Sequence, residues 1–268
     1  MATGIDRQKV RESFHKQALE YDKHALVQKK VVERLFSLVE KQGISPGRVL
    51  DIGAGTGNLL GMLRRRFPRA ELYGADLAFG MCRAAEANLR EENVRLVNAD
   101  AERLPFKEGS FDLVVSSSTY QWLATLDGAF DEVKRVLSPG GVFCFALFGE
   151  RTLYELRDSY RKVLKGGADR SHGFLSQAEV LDALRRTGLS GCEVASELEV
   201  GHYPDVADLL RTLKRIGAGS TAPVSSKGLS ERRVMLEMMD AYRADYGRDG
   251  AIPASYEVLY GTGRKIPL

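Results

Sequence analysis

The sequence predicts an α/β protein built on a doubly wound, mostly parallel sheet. Apolar runs of strand length alternate with helical patterns through the first two thirds of the chain. Those runs are continuous in hydrophobicity rather than alternating, which is how strands covered on both faces read. The first run also passes through three glycines into a helix, in "RVLDIGAGTGNLLGMLRRRFP" at 48–68. Right-handed crossovers then put a ligand site outside the carboxyl ends of the strands.

Taken in order, residues 5–42 form one or two helices, with apolar spacing at Val31, Val32, Leu35, Leu38 and Val39. Five buried strands follow: "RVLDIG" (48–53), "ELYGAD" (71–76), "VRLVNAD" (94–100), "FDLVVSSS" (111–118) and "GVFCFALFG" (141–149). Between them lie the helices "GNLLGMLRRRF", "FGMCRAAEANLREE" and "LDGAFDEVKRVLS". Beyond them "LYELRDSYRKVL" is a helix and "GGADRSHGF" a loop. "SQAEVLDALRRTG" is a helix capped by Ser176 and stopped by Gly188. "CEVASELEVGHY" and "ASYEVLYGTGRK" are two late strands, and the stretch between them holds two helices joined by "GAGSTAPVSSKG". The chain divides into a helical cover over 1–44 and one α/β domain over 45–268, with a helical insert at about 204–250.

Composition narrows the function. Charged residues make up 28% and hydrophobic residues 44%, enough to bury a sizeable core. No apolar run approaches the roughly 20 residues of a membrane span, and the start lacks the apolar segment of a secretory signal. A cytoplasmic protein with no membrane role is expected. Cys82, Cys144 and Cys192 have no metal or disulfide spacing, and the four histidines form no cluster, so no metal is expected. Basic clusters at 64–69, 185–186, 214–215 and 232–233 suit an acidic partner. No nucleic-acid reader motif accompanies them.

The glycine turn reads G-x-G-x-G, with Gly53, Gly55 and Gly57, whereas the dinucleotide fingerprint is G-x-G-x-x-G. Asn58 after Gly57 excludes a phosphate-binding loop of the G-x-x-x-x-G-K-[ST] type. Asp51, two residues before the first glycine, would repel a diphosphate and attract an ammonium. Asp76 ends the second strand, where a carboxylate can accept both hydroxyls of a ribose. Asp100 ends the third and can accept from an adenine amino group, with the Ala101 N–H donating. Adenosine at one end and a zwitterionic amino acid at the other describe S-adenosylmethionine.

"VLDIGAGTG", "YGADLAFGM", "NADAERLPF", "FDLVVSSSTYQW" and "RVLSPGG" resemble the successive motifs of class I S-adenosylmethionine-dependent methyltransferases. The resemblance implies a Rossmann-like sheet of seven strands with an antiparallel edge hairpin. It implies a cofactor site of Asp51, Gly53, Gly55, Gly57, Asp76, Leu77, Asp100, Ala101 and Ser116. "SFHKQALEYDKHALVQ", "SSSTYQWL", "LRTLKRIGAGS" and "IPASYEVLYGTG" further resemble the malonyl-[acyl-carrier protein] O-methyltransferase family of biotin synthesis. The implied reaction esterifies the free carboxylate of a malonyl thioester, with an acidic acyl carrier protein as partner and S-adenosylhomocysteine as product. A carboxylate is already ionised at neutral pH and needs no general base. Tyr21, Gln121, Trp122, Arg211 and Lys214 are the substrate-positioning residues the resemblance implies, and Tyr120 is a further candidate. Arg211 and Lys214, three apart on one helix, can share a face. Lys214 can instead meet the carrier protein. A methyltransferase of free small acids such as aconitate is the alternative.

Overall fold

The computed structural model describes residues 6–164, 173–218 and 229–267. The expected loops at 166–174 and 217–228 fall mostly outside the described residues.

The N-terminal helical segment is three helices: α1 (Arg7–Gln17), α2 (Tyr21–His24) and α3 (Leu26–Lys41). The helical path is interrupted after Gln17 and again at Ala25, so the short α2 can turn across the cleft. α3 buries Val31, Leu35 and Val39, a stripe at helical spacing. The strands then follow as β1 (Arg48–Ile52), β2 (Glu71–Asp76), β3 (Val94–Asn98), β4 (Phe111–Ser117) and β5 (Leu137–Phe148). Helices α4 (Asn58–Arg66), α5 (Phe79–Asn88) and α6 (Asp127–Val136) alternate with them. β5 begins four residues before its apolar run because Leu137 already pairs with Phe111. α7 (Tyr154–Leu164) and α8 (Gln177–Arg186) come next, then β6 (Ser190–Tyr203), α9 (Val206–Arg215), α10 (Leu229–Tyr246) and β7 (Ile252–Arg264). α8 opens on a complete capping box between Ser176 and Glu179.

The seven strands form one sheet in the order β3-β2-β1-β4-β5-β7-β6. β1 through β5 are parallel, and β7 runs antiparallel to both β5 and β6. The edge pair is antiparallel as expected, with β7 inserted inside β6. Alternate side chains of the central strands enter two separate cores. Val49, Leu113, Val115, Cys144 and Ala146 pack with α3, α4 and α9 residues on one face. Leu50, Ile52, Val114, Phe143 and Phe145 pack with α6 and α8 residues on the other. Both faces being buried is why these strands read as unbroken apolar runs. Order reverses between β1 and β4, the switch point where open α/β sheets hold ligands.

Candidate active site

The site grows from the end of β1. Gly53, Gly55 and Gly57 all have positive φ, at +73°, +55° and +88°. A side chain on Gly53 would fall 1.9 Å from Thr119 Oγ1, and one on Gly57 would fall 2.6 Å from Leu89 Cδ1. The turn therefore accepts only glycine at these two places. It is strapped to β2: Gly53 and Ala54 both donate to the Ala75 carbonyl, at 2.7 and 3.1 Å. Gly57 then starts α4 as its left-handed N-terminal residue.

Asp76 does more than end β2. One carboxylate oxygen accepts from the Gly55 N–H at 2.9 Å and the other from the Ala78 N–H at 2.8 Å. It thereby joins the glycine turn to the start of α5. Burial pushes its carboxyl up to about 6, against those two bonds. Each oxygen has one backbone donor and keeps lone pairs for another, so the expected acceptance of ribose hydroxyls stays open to it.

Asp51 is 2% exposed, and its Oδ1 has no hydrogen-bond partner among the described residues. Burial, followed by the charge of Asp76, pushes its carboxyl up to about 8. An orphaned buried carboxylate next to another carboxylate is costly, and a cation beside it relieves the cost. The residues present fit the ammonium of an amino acid.

Three cavities open around these groups. One of about 800 Å³ is lined by Gly53, Gly55, Asp76, Leu77 and Ala101, and by Arg7, Phe14 and Met81. A second of about 440 Å³ holds Asp51, Thr56, Gln28 and Lys29. A third of about 430 Å³ is lined by Gln121, Trp122, Phe148, Leu213, Ile216 and Tyr256. Tyr21 and Ser118 line all three. After the ligand parts expected from the sequence, they are called the adenosine, amino-acid and acceptor chambers.

Ser118, which sequence reasoning passed over, closes β4 with φ +55°. Its N–H donates to Ala146 and its carbonyl accepts from Gln121 Nε2 at 2.7 Å. Its hydroxyl is buried without a partner among the described residues, as is that of Ser117. A left-handed serine at the meeting of three cavities is strain placed where it aims a polar group. No sequence signal separates it from Ser116, whose hydroxyl instead donates to the Ile52 carbonyl at 2.8 Å and ties β4 to β1.

The other expected residues divide between the cleft, the core and the outer surface. Asp100 accepts from Arg7 Nη2 at 2.6 Å and from the Glu102 N–H at 3.0 Å, while Ala99 and Ala101 line the adenosine chamber. Tyr120 is fully buried against Phe130, Phe143 and Phe145, because the 3₁₀ turn at Tyr120–Trp122 points it into the core below β5. Trp122 lies on the other side of that turn, edge-on to Phe14 at 5.7 Å, and lines two chambers. Arg211 and Lys214 do not enter the acceptor chamber. α9 is amphipathic and turns Leu213 and Ile216 inward, so both basic residues are exposed and Arg211 pairs with Asp208. The 3-residue spacing puts them on one face as reasoned, but hydrophobic burial selects the opposite face for the cavity.

The helical segment at the N-terminus is latched over the site. Arg7 bonds Asp100 and, at 2.5 Å, Glu102. His15 Nδ1 accepts from the Gly80 N–H at 2.9 Å. Asp22 accepts from Thr56 Oγ1 and Asn58 Nδ2, both at 2.8 Å. Tyr21 is held beneath, its phenol pushed up by burial and by Asp22 and Asp76. None of Arg7, His15 or Asp22 belongs to a spacing that points to a site, so their roles depend on the folded arrangement.

The sheet order, the glycine turn and the acid pair at the ends of β1 and β2 define a class I methyltransferase fold. Residues 50–145 match the model of a methyltransferase domain family. The solved phosphoethanolamine N-methyltransferase 2 of Haemonchus contortus, in complex with phosphomonomethylethanolamine and S-adenosylhomocysteine, is 19% identical with a TM-score of 0.56. That likeness covers 87% of this chain and 52% of that one. A malonyl-[acyl-carrier protein] O-methyltransferase of Geobacter sulfurreducens is 52% identical over 97% of this chain and 100% of its own. The enzyme of the same name from Halorhodospira halophila is 37% identical over 97% of this chain and 88% of its own. The chain belongs to the malonyl-[acyl-carrier protein] O-methyltransferase family.

Proposed function

We propose that the protein methylates the free carboxylate of a malonyl group held in thioester linkage on an acyl carrier protein, an early step of biotin synthesis. The observation that supports this most directly is the meeting of the three chambers at Tyr21 and Ser118. S-adenosylmethionine supplies an electrophilic methyl group when bound and leaves as S-adenosylhomocysteine. Asp51 would take its ammonium, and Lys29 faces the same chamber. Asp76 would hold the ribose, while Leu77 and Ala101 flank the adenine. Gly53 and Gly55 let the chain pass close to it.

On the acceptor side the residues position rather than activate. Among the described residues no Lys or Arg lines the acceptor chamber. Neutral donors remain, namely Ser118 Oγ, Tyr21 and the Gln28 amide. They can orient a carboxylate that carries its charge already at neutral pH. Gln121 fixes the Ser118 backbone, and the Phe14 and Trp122 rings exclude water. Catalysis is then mainly placement in line with the methyl group. Tyr21, Gln121 and Trp122 keep their positioning roles in this reading, and the relatives named above give no support to a free small acid.

The test is turnover with labelled S-adenosylmethionine against malonyl carrier protein, malonyl-CoA and free diacids including aconitate. We expect label in a base-labile methyl ester with both malonyl thioesters. Turnover restricted to free diacids would overturn the reading.

A further inference from the structure

We infer that the outer face of α9, with α2 and its flanks, is the surface on which the acidic carrier protein docks. This rests on the malonyl-thioester reading above and adds to it a place on the molecule.

Four basic clusters are candidates by sequence, and the structure separates them. In the cluster at 64–69, Arg64 donates to the carbonyls of Glu92, Asn93, Pro68 and Ala70, and Arg66 pairs with Glu40. Those arginines close the far end of α4, away from the glycine turn at its start. At 185–186, Arg186 pairs with Asp127. At 232–233, Arg233 pairs with Glu237 on its own helix. Arg65, Arg69, Arg185 and Arg232 are exposed like Lys214 and Arg215. Among the described residues, however, only the cluster at 214–215 sits on a helix that also walls the acceptor chamber, through Leu213, with Ile216 just past its end. Lys214 and Arg215 are exposed, and neither makes an ion pair among the described residues.

α9 continues this surface into the cover. It packs against α2, and Glu20 at the start of α2 has its carboxyl lowered by Lys23 first and, more weakly, by His24 and Arg215. The ridge thus gathers Lys23, Arg211, Lys214 and Arg215 against the carboxylates of Glu20, Asp205 and Asp208, a surplus of one positive charge. Two apolar side chains stand exposed at the two ends of α2: Leu19 at 86% and Leu26 at 65%. Exposed apolar side chains on segments adjoining these cations suit a partner that presents acidic groups around a small apolar contact. The two faces of one helix are only about 10 Å apart. A flexible thioester arm anchored on the outer face can therefore turn over the edge of α9 and deliver its end into the chamber that Leu213 and Ile216 line. The same geometry accounts for a lysine and an arginine on the outside of a helix whose inside serves the substrate.

The test compares kcat/KM for malonyl carrier protein and malonyl-CoA as salt is raised, in the wild type and in Arg215→Glu and Leu19→Ser. Reversal of an exposed interface charge acts mainly on association. We expect Arg215→Glu to lower the carrier-protein value roughly tenfold or more and to flatten its salt dependence. Leu19→Ser should lower the same value without changing the salt slope. Both variants should leave malonyl-CoA within about twofold of wild type, as rim substitutions remote from the chemistry do. Unchanged carrier-protein kinetics in both variants would overturn the docking surface while leaving the reaction standing. An equal loss on both substrates would also overturn it, by placing the effect inside the acceptor chamber. A wild-type protein inactive on both malonyl thioesters would instead remove the reaction on which the inference rests.

Discussion

Asp51 shows what a single residue can be made to hold. Its carboxyl is pushed up to about 8 from an ordinary value of 3.8, so the folded protein without ligand keeps a proton the unfolded chain would release. A raised folded value contributes stability that is fully present below about pH 4 and is lost as pH rises through 8. Asp51→Asn should therefore raise the melting temperature of the ligand-free protein at pH 8, by an amount equivalent to roughly 1–2 kcal/mol. The same substitution should abolish detectable binding of S-adenosylhomocysteine in a calorimetric titration. In the wild type the ammonium needs the carboxylate form. Affinity should fall as pH drops from 8 to 6, by up to about tenfold per unit, with proton release visible in buffers of different ionisation enthalpy. Asp76, pushed up to about 6, adds to the fall at the acid end. Asp76→Ala should cost more than its ligand contacts, since it also frees the Gly55 and Ala78 N–H groups. A loss of roughly 2–4 kcal/mol in binding is expected, and wild-type affinity would refute the assignment.

At the scale of elements, α1 and α2 are held by polar latches more than by buried surface. α1 buries only Val10, whereas α3 buries three side chains along its length. A segment held this way opens at lower free energy than the sheet. Hydrogen exchange over residues 10–30 should slow when S-adenosylhomocysteine is added. Arg7→Ala removes the bonds to Asp100 and Glu102 and should speed exchange in α1 while leaving β1 and β4 unaffected. These partners are about one third exposed, so the stability cost should be within about 1 kcal/mol. Faster exchange throughout the sheet would show that α1 is part of the cooperative core instead. α9 teaches the complementary lesson. Its spacing showed that Arg211 and Lys214 share a face, but not which face looks inward.

On the scale of the whole molecule, the sheet is stabilised by two cores, and the one beneath β5 is the denser in aromatic rings. Phe145 stacks on Phe143 at 4.8 Å and tilts against Phe130 at 5.2 Å, all fully buried. Phe145→Ala should cost about 3–5 kcal/mol in denaturant unfolding, with the midpoint reporting the loss. Among the described residues no helix is long and apolar enough to cross a membrane. The central parallel strands were legible in the sequence because burial on both faces writes itself as unbroken apolar runs. By contrast β3, expected to be buried, lies at the sheet edge and buries none of its residues, and the antiparallel course of the late pair came from the family resemblance. The glycine turn was legible because positive φ and close approach leave glycine as the only solution at Gly53 and Gly57. Asp51 and Asp76 were legible because strand ends at a switch point are fixed by chain order alone. The acceptor side was not. Ser118, Arg7 and Lys29 reach the cleft from positions 22–111 residues apart, and nothing in local spacing records such a meeting. The sequence by itself determined the sheet, the turn and the charge that the turn faces. Only tertiary packing decided which side of α9 and of the Tyr120–Trp122 turn points into the cleft, because a helix face is chosen by what it is packed against.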